Sequence, residues 1–379
     1  MATDVRQLRV TILANDRASF VRPTAEGLQR MLRSCGAEVV MRYDGLHHLG
    51  LPTSVDWSSP RSIASTGLRL ARHRRQFREF VEGMRECDVV MVVAHVPASF
   101  SRVGLSNVEL LRELLPEMPI VNYDLVYLPT VEKWGRAILN AEATGLTDTD
   151  MRGIERGMFG MDRYDWYLAV STASEVPMPS EPQPCTVIGI DLDDGSLFPE
   201  QHGELRALVD FAQSRKNYPS YRAMQIEALE KTGIPYEVLD GGYSPVEIRA
   251  MYRRTGLFML AHRESFGLPI CELQACGSLI FAPHSNWAGA HWIKANPRDS
   301  GPGLHSPNFC IYDNDFDILV AQLEIVKQTF DPGRVVRTFD DHQPQLFRGD
   351  RAAVQQFLGL VQRGDIHGAL HLEHAQVGR

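Results

Sequence analysis

The stretch that most constrains this chain is an apolar run followed by a glycine–proline turn. Residues 257–261 are apolar throughout, which is typical of a strand buried in a parallel sheet. Gly267 permits a tight turn without a Cβ, and Pro269 suits the first turn of a helix, where a missing N–H costs nothing. That helix would end near Gly277, and a capping-box sequence at 244–247 predicts another helix leading into the strand. The sequence therefore predicts a strand, a turn and a helix start, which together present free backbone N–H groups to an anion.

Two carboxylates bracket this turn. Glu264 precedes the helix, and Glu272 follows eight positions later in its first turn. A carboxylate does not bind a phosphate directly, but it accepts hydrogen bonds from sugar hydroxyls. Backbone amides can bind a diphosphate, and the two carboxylates can bind sugar hydroxyls. Together they predict a pocket for a nucleotide-sugar. The alternative is a capped strand–helix turn with two solvated glutamates.

The residues from Glu264 to Gly277 read E-S-F-G-L-P-I-C-E-L-Q-A-C-G and resemble the E-x7-E signature of GT-B glycosyltransferases of family 4. The resemblance implies an α/β fold of GT-B type, with two Rossmann-like domains whose parallel sheets face an inter-domain cleft. It implies that Glu272 binds the donor ribose and that Glu264 is a catalytic residue that positions the donor sugar. The sugar and diphosphate cradle would be completed by Ser265, Phe266, Gly267 and Leu268.

The first domain departs from the family's pattern at its predicted site loops. The first loop lacks the family's glycines and offers Arg17, whose charge would replace backbone amides toward the donor; a solvated arginine is the alternative. His95 follows a strongly apolar strand, and ligands bind at the carboxyl ends of parallel strands, so we expect it in the donor pocket unless it merely caps the strand. Where the family often has His-Asp, this chain has Tyr123-Asp124, and Asp124 is predicted as a second catalytic residue.

A basic clamp for the donor diphosphate is also implied by the resemblance. The family's G-R-L-x-x-x-K-G motif places an arginine and a lysine there. In this chain Asp210 and Phe211 replace the glycine and the arginine, while Lys216 matches the lysine. Arg215 would restore the lost charge, and Arg263 is predicted as a further cation. A plain surface lysine is the alternative for Lys216.

Composition limits the class of partner and the compartment. The chain has 379 residues and a net charge of -8, which argues against a general nucleic-acid or membrane coat. Six cysteines without C-x-x-C spacing, no signal-like start and no membrane-length apolar run predict a cytoplasmic protein. If one basic helix binds the membrane, the protein would be peripheral to the inner membrane face. That helix would bind an anionic membrane or a phosphate group weakly through Arg69, Arg72, Arg74, Arg75 and Arg78. The alternative is that these arginines are only solvated.

Three segments and one activity are expected from these observations. Residues 1–184 would form the acceptor-side domain, residues 185–345 the donor-side domain, and residues 346–379 a helix returning toward the first domain. The family resemblance implies a retaining, hexosyltransferase-type glycosyltransferase, which we expect to be metal-independent. We expect no cofactor, because the nucleotide-sugar is the substrate. The acceptor is unidentified: a small molecule, a glycan or a lipid-linked group. The alternatives are a nucleotide-sugar epimerase or glycan phosphorylase on the same fold, and a non-catalytic nucleotide-sugar-binding protein.

Overall fold

The computed structural model describes residues 7–14, 20–43, 59–93, 111–112, 115–126, 164–171, 184–200, 204–211, 218–264, 266–293 and 303–366. The chain forms two compact units. The first contains residues 1–170, 179–188 and 350–379, and the second contains residues 171–178 and 189–349. Among the described residues, no helix combines the length and apolarity that crossing a bilayer requires.

The first unit is built on a six-stranded sheet. Its elements in chain order are β1 (Arg9–Ala14), α1 (Val21–Ser34), β2 (Glu38–Arg42), α2 (Pro60–Glu82), β3 (Val89–Val93), β4 (Ile120–Val126), β5 (Trp166–Ser171) and β6 (Cys185–Val187). The strand order is β2-β1-β3-β4-β5-β6, with β1 parallel to β2 and β3, β3 to β4, and β5 to β6. β3 is buried along its whole length, as expected for an inner parallel strand without polar alternation.

The second unit is built on a five-stranded sheet whose neighbouring strands are all parallel. Its elements are β7 (Ala207–Val209), α3 (Tyr218–Thr232), β8 (Tyr236–Val238), α4 (Pro245–Arg254), β9 (Leu257–Met259), α5 (Leu268–Ala275), β10 (Leu279–Ala282), β11 (Phe309–Ile311), α6 (Phe316–Thr329), α7 (Pro332–His342) and α8 (Gln345–Arg348). The strand order is β11-β10-β9-β7-β8. β9 is therefore central, and the residues that follow it lie beside the carboxyl ends of β7 and β10.

The last described helix, α9 (Arg351–Arg363), packs on the first unit. It contacts α1 and β6. Its buried side chains recur at helical spacing, so one apolar face is covered: Ala353, Val354, Phe357, Leu358 and Val361.

Strand β6 differs from the sequence-based expectation that residues 185–187 open the second domain. The backbone N–H of Tyr167 donates to Pro184, and that of Ile188 donates to Ala169, at 2.9 Å each. These bonds extend the first sheet by one edge strand. Residues 185–187 therefore belong to the first unit, because the free edge of β5 offers hydrogen-bonding groups to them; the nearby prolines do not mark the domain boundary.

Candidate functional site

The turn between β9 and α5 has the predicted backbone. Gly267 is the N-cap residue of α5 and adopts the left-handed conformation with φ of +70°, which glycine enters without a steric cost. A Cβ at this position would lie 2.8 Å from Ile270 Cδ1. Pro269 occupies the first turn of the helix, and Ile270 N–H donates to the Gly267 carbonyl at 2.9 Å. The predicted strand, turn and helix start are confirmed.

The carbonyl groups of this turn are held by the segment that follows β10. Ala288 N–H donates to the Glu264 carbonyl at 2.9 Å, and His291 Nε2 lies 2.6 Å from the Phe266 carbonyl oxygen. Because that oxygen only accepts, Nε2 must carry the proton. Across a trans peptide the C=O and the next N–H point in opposite directions, so the Gly267 N–H points away from His291. The segment after β10 thus holds the carbonyls of Glu264 and Phe266, and the Gly267 N–H points away from that segment.

His291 makes this bond as a neutral ring at neutral pH. Burial lowers its pKa to about 4, outweighing the opposing effect of the hydrogen bond to Phe266. Its ring also stacks on the Phe266 ring, with centroids 5.4 Å apart. The aromatic contact and the hydrogen bond together fix residue 266 from two directions.

Glu264 belongs to a chain of three ionisable side chains at the carboxyl edge of the sheet. Its Oε1 lies 2.7 Å from His262 Nε2, and His262 Nδ1 lies 2.9 Å from Asp210 Oδ2. The second contact is within ion-pair distance but is not aligned as a hydrogen bond. Burial lowers the pKa of His262, but the two carboxylates raise it more, to about 10. His262 is therefore an imidazolium at neutral pH.

Glu272 is buried and paired with an arginine from α4. Arg249 donates to its Oε1 from Nε at 3.1 Å and from Nη2 at 2.8 Å. Arg249 Nη1 also donates to Ser196 Oγ at 3.0 Å and contacts the Asp194 carboxylate. Burial raises the pKa of Glu272, and Arg249 opposes that shift only in part. The guanidinium thus joins the 194–196 loop to α5.

The other predicted site residues fall in three groups. Phe266 and Leu268 are buried in the turn, and Arg263 is half-buried between His262 and Glu264 in sequence. Asp124 lies in β4 of the first unit, where burial raises its pKa to about 6 and its Oδ1 accepts from Leu125 N–H at 2.8 Å. Five predicted donor ligands lie outside the described residues: Arg17, His95, Arg215, Lys216 and Ser265.

The predicted basic face lies on α2. Arg75 and Arg78 are exposed there, as a surface contact would require. The side chains of Arg69, Arg72 and Arg74 lie outside what the structure describes. Contact with a membrane or a phosphate group therefore stays a prediction.

Two residues of the site were missed in the sequence. His262 stands just past the carboxyl end of β9, so the strand-end argument applied to His95 would have singled it out. Arg249 had no comparable signal, because its pairing with Glu272 depends on how α4 packs on α5. Within the described part of the chain, no three or more His, Cys, Asp or Glu side chains are grouped so that they could hold a metal ion.

Two Rossmann-like α/β units, each on a parallel sheet, define the GT-B fold, as predicted. The catalytic domain of starch synthase IV from Arabidopsis thaliana, solved with ADP and acarbose, is similar with a TM-score of 0.53 and 11% identity, covering 95% of this chain and 99% of that chain. An alpha-glucosyltransferase in complex with UDP and a mismatched 13-mer DNA gives a TM-score of 0.53 and 12% identity over 94% and 99%.

A third similar structure comes from a protein of Listeria monocytogenes assigned as a UDP-N-acetylglucosamine 2-epimerase. Its TM-score is 0.51 at 12% identity, covering 94% of this chain and 96% of that chain. At such low identity these likenesses show the fold alone. No protein-family model and no curated protein sequence matches the chain.

Proposed function

We propose that this protein is a retaining glycosyltransferase that moves a sugar from a nucleoside-diphosphate sugar to an acceptor. The observation that carries the proposal is the left-handed turn at Gly267, which opens α5 at the carboxyl end of the central strand with Glu264 and Glu272 on either side. The similar structures that hold UDP or ADP support a nucleotide ligand for this fold.

The amides of this turn suit the departing diphosphate. The first N–H groups of a helix have no partner within the helix, and the helix dipole favours an anion at that end. Because Ala288 and His291 bind carbonyls of the turn, the amides need not reorient when a phosphate arrives. Donors fixed in advance stabilise charge that grows on a leaving group. In our proposal Arg17, Arg215, Lys216 and Arg263 add positive charge there.

The two glutamates have different proposed roles. Glu272 accepts a ribose hydroxyl while Arg249 occupies its Oε1, since a carboxylate has acceptor sites for both. Glu264 is half-exposed and positions the donor sugar. The acceptor oxygen bonds to the anomeric carbon on the face from which the diphosphate oxygen leaves, and the departing diphosphate takes the acceptor's proton, so no covalent intermediate is needed. In our proposal the cationic side chains and the turn amides, rather than a metal ion, stabilise the charge on the diphosphate. His95, Ser265 and Asp124 remain predicted members of the site.

The first test is a thermal-shift series with UDP, GDP, ADP, CDP and dTDP. A ligand that binds only the native state raises its apparent stability, so one of the five is expected to do so. Glu272→Ala should weaken that nucleotide by about 1.5–3 kcal/mol, the worth of a hydrogen bond to a charged group. Glu227→Gln, on the exposed surface of α3, is the control and should bind as the wild type does. If none of the five nucleotides binds, the proposal fails.

The second test separates sugar positioning from nucleotide binding. Glu264→Gln should lower turnover strongly and leave the affinity for the free nucleotide nearly unchanged, because the nucleotide alone does not reach that carboxylate. Loss of nucleotide binding with unchanged turnover of bound donor would contradict the assignment. Incubating the donor without an acceptor distinguishes the epimerase alternative, which would release a changed sugar. Binding without turnover across acceptors would indicate a binding protein.

A further inference from the structure

We propose that His262 is a positioning residue that, anchored by Asp210, holds the Glu264 carboxylate in place at the carboxyl edge of the second sheet. The inference rests on the function proposed above for Glu264. It adds to that function two buried side chains that orient the carboxylate. Three observations carry it: the anchoring of Asp210, the carboxylates that lie beside both ring nitrogens of His262, and the different exposure of the three side chains.

Asp210 is fixed by the backbone of two neighbouring strands. Val209 and Met259 are register partners in β7 and β9, so residue 210 lies where both strands end. Asp210 N–H donates to the Met259 carbonyl at 3.1 Å, and Phe211 N–H donates to Asp210 Oδ1 at 2.8 Å. The other oxygen, Oδ2, faces His262. A carboxylate held in this way gives the imidazole a fixed anchor.

The contacts of His262 favour a charged ring. Both nitrogens lie within 3 Å of oxygens from carboxylates, 2.7 Å for Glu264 and 2.9 Å for Asp210. A neutral ring could still donate to Glu264, but only the imidazolium carries a positive charge that both carboxylates attract, including that of Asp210, which lies at ion-pair distance without an aligned hydrogen bond. The groups that face the ring are the two carboxylates and the Tyr218 ring, whose centroid is 6.3 Å away; Arg263 is the next residue in sequence. The imidazolium also compensates the negative charge of buried Asp210, which as a whole residue is 4% exposed.

The exposure of the three groups shows which one can touch a ligand. The side chains of Asp210 and His262 are 6% and 7% exposed, whereas that of Glu264 is 35% exposed. Only Glu264 is therefore open to a sugar, and His262 acts through it. A carboxylate tied at one oxygen by a buried cation keeps its orientation while the remainder of the group stays accessible.

The test uses His262→Gln, Glu264→Gln and the double variant, with His342→Gln on the exposed end of α7 as the control. His262→Gln should lower kcat at least about tenfold, because misplacing a reacting group by a small distance is costly, and should leave nucleotide affinity unchanged. The double variant should be no slower than Glu264→Gln alone. The proposal would be overturned if the rate losses of the two single variants multiplied in the double variant, or if His262→Gln lost nucleotide affinity rather than kcat.

A measurement on the resting protein decides the inference without turnover. The side-chain nitrogen NMR signals of His262, identified by their absence in His262→Gln, should show a doubly protonated ring at pH 7. Asp210→Asn should lower the pKa of His262. This variant also tests the proposal if His262→Gln does not fold. A neutral His262 at pH 7 in the wild type would overturn the inference even if the transferase activity is found. A protonated ring in a protein that turns over no nucleotide-sugar would instead count against the proposed function alone.

Discussion

Replacing Arg249 by methionine is expected to destabilise the second unit by about 3 kcal/mol. Breaking a buried ion pair typically costs 3–5 kcal/mol, because the remaining charge stays buried without compensation. Here the side chains of Arg249 and Glu272 are 18% and 11% exposed, which places the expected cost at the lower end of that range. Methionine keeps most of the aliphatic volume, so the loss reports the guanidinium rather than a cavity.

A double-mutant cycle identifies the origin of this cost. In Arg249→Met/Glu272→Gln no charge is left buried, so we expect the arginine substitution to cost about 2 kcal/mol less in that background than in the wild type. Arg254→Met is the matched control on the same helix. Arg254 is exposed, so its loss should change stability by no more than about 0.5 kcal/mol.

The pH dependence gives the cycle a second readout. Burial already raises the pKa of Glu272, and removing Arg249 removes the main influence that lowers it. A carboxyl group whose folded pKa is raised favours folding below its unfolded pKa and loses that contribution as pH rises through the folded value. The cost of Arg249→Met should therefore be largest at neutral pH and shrink as the solution is acidified toward the ordinary pKa of a glutamate.

Urea unfolding at pH 7 and pH 5, followed by tryptophan fluorescence, measures these differences, because Trp287 and Trp292 belong to the second unit. Equal stabilities of Arg249→Met and Arg254→Met would refute the reasoning. So would a cost that persists unchanged in the Glu272→Gln background.

Three further predictions concern the turn, its support and the metal. Gly267→Ala should destabilise the protein by about 1–2 kcal/mol, because alanine is strained at positive φ and its Cβ would contact Ile270. The control, Gly67→Ala in the exposed part of α2, should stabilise the protein by about 0.5–1 kcal/mol in the same denaturation assay. Equal effects of the two substitutions would contradict this prediction. The pKa of His291 is lowered from 6.5 to about 4. As pH falls through that range, the free energy of unfolding of the wild type should therefore decrease, relative to His291→Gln, by up to about 1.4 kcal/mol per pH unit. Parallel stability profiles of the two proteins would disprove this prediction. Transfer activity, once a donor is known, should survive EDTA, and loss on chelation that a divalent ion restores would show a metal requirement.

The sequence by itself determined the features that depend on neighbouring residues. The capping box at Ser244 and Glu247 is present as predicted, with Glu247 N–H donating to Ser244 Oγ and Ser244 N–H donating to the Glu247 carboxylate. The left-handed Gly267 and the helix start at Leu268 follow from glycine and proline backbone preferences. The two-domain GT-B architecture followed from a motif resemblance together with alternating strands and helices.

Only the tertiary structure decided which side chains meet. His262 contacts Asp210 because β7 and β9 pair in parallel and end together, and no spacing along the chain encodes that pairing. Glu272 was predicted from its motif as a ribose ligand, but its partner Arg249 is set by the packing of α4 on α5. Strand β6 joined the first sheet for the same reason, since an edge strand pairs with whatever segment reaches it. Local preferences act between neighbours in sequence, whereas buried charges are paired by the geometry of distant elements.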